Sequence, residues 1–178
     1  LWLVISSGER LYNVPVVILA SSSPKNDGNA SSLISEVGEW SLHDAASHPA
    51  GQRALFALLV GAEGTAEKSH NTEDPSLDGK GALGFANLPL HGLSGPVGEA
   101  TRLTSEQSNT SIIYRFNDRP PIIIKLFRVL ASGRNPDVEL QLALDSSGTV
   151  PRQYGSVSMH YQVSSGEAEE AGDVATGR

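Results

Sequence analysis

The most constraining feature of the sequence is a run at residues 121–127 (PIIIKLF), which is apolar on both faces of a strand apart from one lysine. Side chains alternate along a strand, so Ile123, Lys125 and Phe127 share one side of it. An ammonium group in such surroundings carries a desolvation cost unless a carboxylate or phosphate meets it. The run therefore predicts a long strand, residues 121–129, with a partnered Lys125. The alternative is an edge strand whose lysine reaches water.

A helix is predicted soon after this strand, because Asn135 can cap it and Pro136 suits its first position. Glu139 lies one turn into this helix and is the nearest candidate partner for Lys125. A strand lysine paired with a helix glutamate is the arrangement by which kinases hold nucleotide phosphates. The side chains expected to face the core are Val138, Leu142 and Ala143.

The first half of the sequence is typical of antiparallel strands and one helix. A hairpin is predicted with arms at residues 2–5 and 11–19, and its Pro15 favours an edge strand or a strand that starts after the proline. Short strands are predicted at residues 33–37 and 39–42. A helix is predicted from Pro49, capped by Ser47 or His48, with Gly61 as its stop. Further strands are predicted within residues 81–90 and 110–116 and at residues 157–163.

The composition excludes several classes of function. A net charge of −7 with no basic cluster disfavours nucleic-acid binding. The absence of cysteine removes disulfides and thiolate metal sites and fits a cytoplasmic protein. The apolar opening, residues 1–5, is far too short to span a bilayer, so no membrane association is expected. The first residue is not methionine, so we expect these residues to be a portion of a longer chain.

Three other features have two interpretations each. The polar segment of residues 104–111 could cradle phosphate with its amides, or it could be an ordinary hairpin turn. His43, Asp44 and His48 could ligate a metal, but their spacing favours a helix-entry turn with exposed histidines. Trp2 and Trp40 are predicted core residues of the first half, with a sugar-stacking role as the alternative.

Three ordered motifs resemble those of actinobacterial maltokinases. They are SEQSNTS at residues 105–111, IIKLFR at residues 123–128 and GRNPDVE at residues 133–139. The segments YNVPV (12–16), LHDA (42–45) and HP (48–49) resemble the N-terminal cap of the same family. The resemblance extends to about Gly155.

The resemblance implies an α+β chain. An antiparallel-sheet cap domain with one main helix would occupy residues 1–98, and a partial protein-kinase-like N-lobe, a hairpin plus a helix, residues 99–163. A flexible acidic tail would follow at residues 164–178. In the full-length form such a kinase transfers the γ-phosphate of ATP, with Mg²⁺, to maltose or a related sugar such as glucosamine. The implied nucleotide-binding residues are Lys125, Glu139, Ser105, Gln107, Ser108, Asn109, Thr110 and Ser111.

No catalytic or metal-binding residue of the family has a match here, because its catalytic-loop and metal-binding aspartates fall in motifs that this sequence lacks. We therefore expect negligible kinase activity from this polypeptide alone. The partners implied are the missing kinase lobe or a trehalose- or maltose-metabolising enzyme. A free-standing cap that binds a partner protein, and a structural α+β domain without a ligand, are the alternatives.

Overall fold

The computed structural model describes residues 1–20, 32–59, 83–86, 98–104, 108–162 and 169–177. This part of the chain contains two antiparallel sheets and two α-helices, so the predicted α+β class is confirmed. The elements in chain order are β1 (Trp2–Ser7), β2 (Arg10–Ala20), β3 (Leu33–Val37), β4 (Trp40–Asp44), α1 (Pro49–Leu59), β5 (Leu83–Ala86), β6 (Glu99–Arg102), β7 (Asn109–Arg115), β8 (Ile122–Phe127), β9 (Val129–Leu130), α2 (Pro136–Leu144), a short 3₁₀ turn (Asp145–Ser147), β10 (Gly155–Gln162) and β11 (Glu169–Gly177).

The first sheet has the order β1-β2-β4-β3, with β9 also paired to β2. The predicted hairpin is confirmed, and its two-residue turn places Gly8 at a φ of 61°, a value that glycine adopts without strain. The strands predicted at residues 33–37 and 39–42 are confirmed as β3 and β4.

Pro15 does not mark an edge, because β2 is a central strand of the first sheet. The amide of Asn13 donates to the carbonyl of Arg128, just before β9, at 2.8 Å, whereas the amide of Val16 donates to Leu1 on the β1 side at 2.9 Å. Backbone amides alternate sides along a strand, so the nitrogen of Pro15 points to the same side as that of Asn13. There β2 passes from pairing with β9 to pairing with β4, and the missing N–H interrupts neither ladder.

The second sheet has the order β5-β10-β11-β8-β7-β6. The strand predicted at residues 121–129 is divided, because β8 ends at Phe127 and β9 joins the first sheet. The predicted flexible tail is wrong for residues 169–177, which form strand β11 between β10 and β8. Its small residues suit a crowded position, since a Cβ at Gly172 would lie 2.2 Å from the carbonyl oxygen of Ala131. Residues 164–168 and 178 lie outside the described residues.

One cluster of buried apolar side chains joins the two sheets and α1. Trp2 and Phe56 belong to it together with Tyr114, Ile124 and Val174, so the cluster includes residues on both sides of residue 98. The predicted domain bounds themselves stay a prediction. Trp2 is in the core as predicted, but Trp40 is 57% exposed, on the face of β4 opposite to buried Ser41 and His43.

Both predicted helix starts are confirmed. His48 caps α1, because its Nδ1 accepts a hydrogen bond from the amide of Ala50 at 3.1 Å; the predicted stop at Gly61 lies outside the described residues. Asn135 caps α2 by accepting from the amide of Asp137 at 2.9 Å. Val138 is buried, but Leu142 and Ala143 are exposed and Gln141 is buried in their place. The helix thus packs along its i, i+3 stripe.

Candidate functional site

Lys125 lies in the middle of the second sheet. Strand β8 has β11 on one side and β7 on the other, so the edge-strand alternative is wrong. The predicted alternation is confirmed, with Ile122, Ile124 and Leu126 fully buried on the opposite face. The Lys125 side chain is 14% exposed, which leaves its ammonium group largely shielded from water.

The partner of Lys125 is Asp137 rather than Glu139. Lys125 Nζ donates to Asp137 Oδ2 at 2.8 Å, and the Asp137 side chain is 33% exposed. Glu139 is exposed, two residues further along α2. Two helical residues turn the chain by about 200°, which sends Glu139 to the other side of the helix. The predicted pairing with Glu139 is therefore wrong, and the first turn of α2 supplies the carboxylate instead.

Hydroxyl side chains lie directly across from Lys125 on both neighbouring strands. The register pairs Ser111 of β7 and Thr176 of β11 with Lys125, and both residues are buried. The Thr176 hydroxyl donates to the carbonyl of Gly155 at 3.0 Å and accepts from Gln153 Nε2 at 3.0 Å. Lys125 thus has one carboxylate and two flanking hydroxyl-bearing residues on its face of the sheet.

The other residues predicted to bind nucleotide divide between the two faces. Asn109 pairs with Phe127, so it lies on the Lys125 face, and Ser108 is exposed just before β7 begins. Thr110 lies on the opposite face, where its hydroxyl accepts from Arg128 Nε at 2.9 Å. Ser105 and Gln107 lie outside the described residues. The amide of Leu103 donates to the carbonyl of Ser111 at 2.9 Å, so the residue after β6 lies beside the residue that pairs with Lys125.

A second cation, Arg128, joins the two sheets and was not singled out from the sequence. Its Nη2 donates to both carboxylate oxygens of Asp44, at 3.0 and 2.9 Å. Its Nε donates to the Thr110 hydroxyl, and its Nη1 lies 3.5 Å from the carbonyl oxygen of Asn13. Because Arg128 directly follows β8, the strand that carries Lys125 is anchored to the first sheet.

The histidines near α1 are buried, so the predicted exposure is wrong. The rings of His43 and His48 lie 5.0 Å apart, and His43 is held between the hydroxyls of Ser32 and Ser41, both at 3.0 Å. Burial, aided by nearby His43 and Arg53, lowers the pKa of His48 below its ordinary value. Within the described ranges, no group of three or more His, Cys, Asp or Glu side chains could hold a metal ion.

An apolar groove lies between the start of the first sheet and α1. It has a volume of about 490 Å³ and is lined mainly by aliphatic side chains of β2 and α1, with Trp2 at one wall. Its polar lining is sparse, so it offers little that could orient a sugar or a phosphate.

Comparison with protein-family models gave no match to this sequence, and comparison with curated proteins gave none either. Over the residues that the structure describes, no helix combines the length and the apolar character needed to cross a membrane.

Proposed function

We propose that this chain is the N-terminal portion of a maltokinase-type sugar kinase, which in its full-length form phosphorylates maltose or a related sugar such as glucosamine with ATP. In this proposal residues 1–98 correspond to the cap, and residues 99–163 contribute contacts to the ATP phosphates. The proposal rests mainly on one ion pair. Lys125 lies on a central strand, β8, and its partner Asp137 lies on α2, the next helix in the chain.

The order of elements supports a kinase-type lobe. Lys125 lies on the third strand after residue 98, following β6 and β7, and α2 comes next in the chain after β9. In protein kinases a lysine on the third strand pairs with an acidic residue of the next helix, and the loop between the first two strands covers the phosphates. An aspartate suits this chain because it lies in the first turn of α2, close enough to reach the lysine with a short side chain.

Lys125 has the chemistry of a phosphate contact. An ammonium group has three N–H donors, and the bond to Asp137 uses one of them. The remaining donors, together with the amides and hydroxyls of the β6–β7 connection, would bind ATP oxygens. A shielded ammonium group attracts an anion more strongly than one in bulk water does.

The transfer step itself needs groups that this sequence does not supply. Orientation of the sugar hydroxyl and ligation of Mg²⁺ belong to a catalytic loop and a metal-binding aspartate in kinases. We propose that a second lobe provides both. These 178 residues alone should then phosphorylate maltose at a negligible rate in the presence of ATP and Mg²⁺.

The proposal is tested by nucleotide binding to the chain and two variants. Lys125→Ala should weaken ATP binding about tenfold, the effect of losing one hydrogen-bonded charge from a shielded site. Arg10→Ala is the matched control, because it removes one positive charge from an exposed position of the first sheet. Isothermal titration of both variants measures the difference. Equal affinities for ATP in all three proteins would refute the nucleotide site.

One observation favours a second candidate, a cap-like interaction module without catalytic activity. The register places Ile18, Val37 and Trp40 on one face of the first sheet, and all three are exposed. An exposed apolar face of this kind is typical of a protein-binding surface. Trp40→Glu should then abolish association with the missing kinase lobe or a trehalose- or maltose-metabolising enzyme while leaving ATP binding unchanged. Association that survives the substitution would remove this candidate.

A further inference from the structure

Asp173 is a carboxylate with an unusual position in the second sheet. It lies on β11, next to the strand of Lys125, and is only 5% exposed. Its Oδ2 accepts from the amide of Asn135 at 2.9 Å, and its Oδ1 accepts from the Ser158 hydroxyl at 2.8 Å. Neither donor is a cation. A buried carboxylate is costly unless it is hydrogen-bonded, so these two bonds fix its position.

Strand β11 also holds the backbone that precedes α2. Gly172 forms a parallel bridge with Gly133. A Cβ at Gly172 would lie 2.2 Å from the carbonyl oxygen of Ala131, so the two segments are in close contact. The Asp173 bond to Asn135 continues this attachment up to the residue that caps the helix.

A short series of hydrogen bonds connects Asp173 to Lys125. Asp173 holds the Asn135 amide, the Asn135 side chain accepts from the Asp137 amide at 2.9 Å, and the Asp137 carboxylate meets Lys125 at 2.8 Å. The Asp173 carboxylate also meets the amino-terminal end of α2, where the helix dipole favours a negative charge. Movement of the cap would therefore displace the carboxylate that orients Lys125.

We infer that Asp173 is a positioning residue, which acts through Asn135 to hold Asp137 against Lys125. The inference deepens the proposed nucleotide site and rests on it for its functional meaning. The positioning itself is a property of the protein without nucleotide and is measurable separately. Asp173→Asn replaces one acceptor oxygen with an NH₂ group facing either the Asn135 amide or the Ser158 hydroxyl, with almost no change in size.

The experiment follows the side-chain NMR signal of Lys125 in the full chain. The sequence has four lysines, so the signal of Lys125 is identified by its loss in Lys125→Arg. Asp173→Asn should move this signal most of the way to its position in Asp137→Asn. In the double variant Asp137→Asn/Asp173→Asn the signal should move no further. Asp118→Asn, which removes one exposed carboxylate from the turn between β7 and β8, should leave it in place.

The same variants separate the two claims. A folded Asp173→Asn protein with an unchanged Lys125 signal would overturn the positioning role. If Asp173→Asn fails to fold, Ser158→Ala replaces it, because this substitution removes only one hydrogen bond to the Asp173 carboxylate. An unchanged Lys125 signal in Ser158→Ala would likewise overturn the positioning role. If Asp173 positions the pair, ATP binding also weakens in Asp173→Asn, about threefold to tenfold. A moved signal, with ATP affinity unaffected even by Lys125→Ala, would sustain the positioning role and refute the nucleotide site.

Discussion

Lys125 and Arg128 lie three residues apart and face opposite sides of the second sheet. Lys125 meets Asp137 of α2, and Arg128 meets Asp44 of the first sheet. Each cation is mostly buried, and each has a carboxylate within 2.9 Å. One strand end therefore holds the helix on one face and the neighbouring sheet on the other, through two aspartates that are far apart in sequence.

The ion pair between Asp44 and Arg128 should stabilise the folded protein measurably. Asp44→Ala would leave the Arg128 guanidinium without its carboxylate and should lower the free energy of unfolding by about 2 kcal/mol, the range for hydrogen bonds to a partly buried charge. Urea unfolding of the natural protein and the variant measures this change in the free energy of unfolding. Asp118→Ala, at an exposed turn position, should change stability by less than about 0.5 kcal/mol. If Asp44→Ala also lowered the free energy of unfolding by less than about 0.5 kcal/mol, the pair would add no stability.

A partner for Lys125 was one of two alternatives that the sequence allowed, and the identity of the partner could not be predicted. An ammonium group among isoleucines needs a carboxylate or a phosphate unless its strand lies at a sheet edge where the lysine reaches water, and the sheet order excludes the edge. Which acidic residue of α2 reaches it depends on the angle at which the helix approaches the sheet, and β11 helps set that angle through Asp173 and Gly172. These contacts span about 40 residues of sequence, beyond the reach of local patterns.

Among the elements, α1 owes its position to a close contact at Gly51. A Cβ on this residue would lie 2.4 Å from the Cα and the carbonyl oxygen of Ala45. Helix propensity alone predicts that Gly51→Ala stabilises the protein by about 1 kcal/mol. The contact predicts the opposite, a loss of about 1–3 kcal/mol, because backbone must move to admit the methyl group. Thermal unfolding of Gly51→Ala distinguishes the two expectations: a lower Tm supports the close contact, and a higher Tm would contradict it.

The cap of α1 should make stability depend on pH. Burial lowers the pKa of His48 in the folded protein, so the fold favours the neutral ring that accepts from the Ala50 amide. This contribution is fully present above the unfolded pKa of about 6.5 and is lost as the pH falls below it. His48→Asn keeps a capping acceptor that does not titrate. Its urea midpoint should fall less between pH 7.5 and 5.5 than that of the natural protein; equal falls would contradict the assignment.

Elements with local signals were predictable, and those defined by distant contacts were not. Both helix starts and the hairpins follow from turn and capping residues close in sequence. The sequence of strand β11 is acidic and rich in small residues, a composition typical of a flexible tail. It forms a strand because β10 and β8 pair with its two edges and because Gly172 fits closely against the segment before α2.

For the whole molecule, the shared core predicts one cooperative unfolding transition. Trp2 of the first sheet and Ile124 of the second belong to the same buried cluster. Ile124→Val should lower stability by about 1 kcal/mol. In a Trp40→Phe background, where Trp2 is the remaining tryptophan, fluorescence and circular dichroism should report the same loss. If Ile124→Val left the unfolding transition reported by Trp2 fluorescence unchanged, the two sheets would unfold as separate domains.

The proposed nucleotide site requires the Lys125 ammonium group to lie beside the phosphates of bound ATP. The most direct measurement is a titration of the chain with ATP and, separately, with adenosine, followed at the Lys125 side-chain NMR signal. Adenosine lacks the phosphates and is the matched control ligand. If Lys125 binds the phosphates, ATP should displace the signal saturably and adenosine should not displace it. An unmoved signal with ATP, or equal displacement by both ligands, would contradict the proposed site.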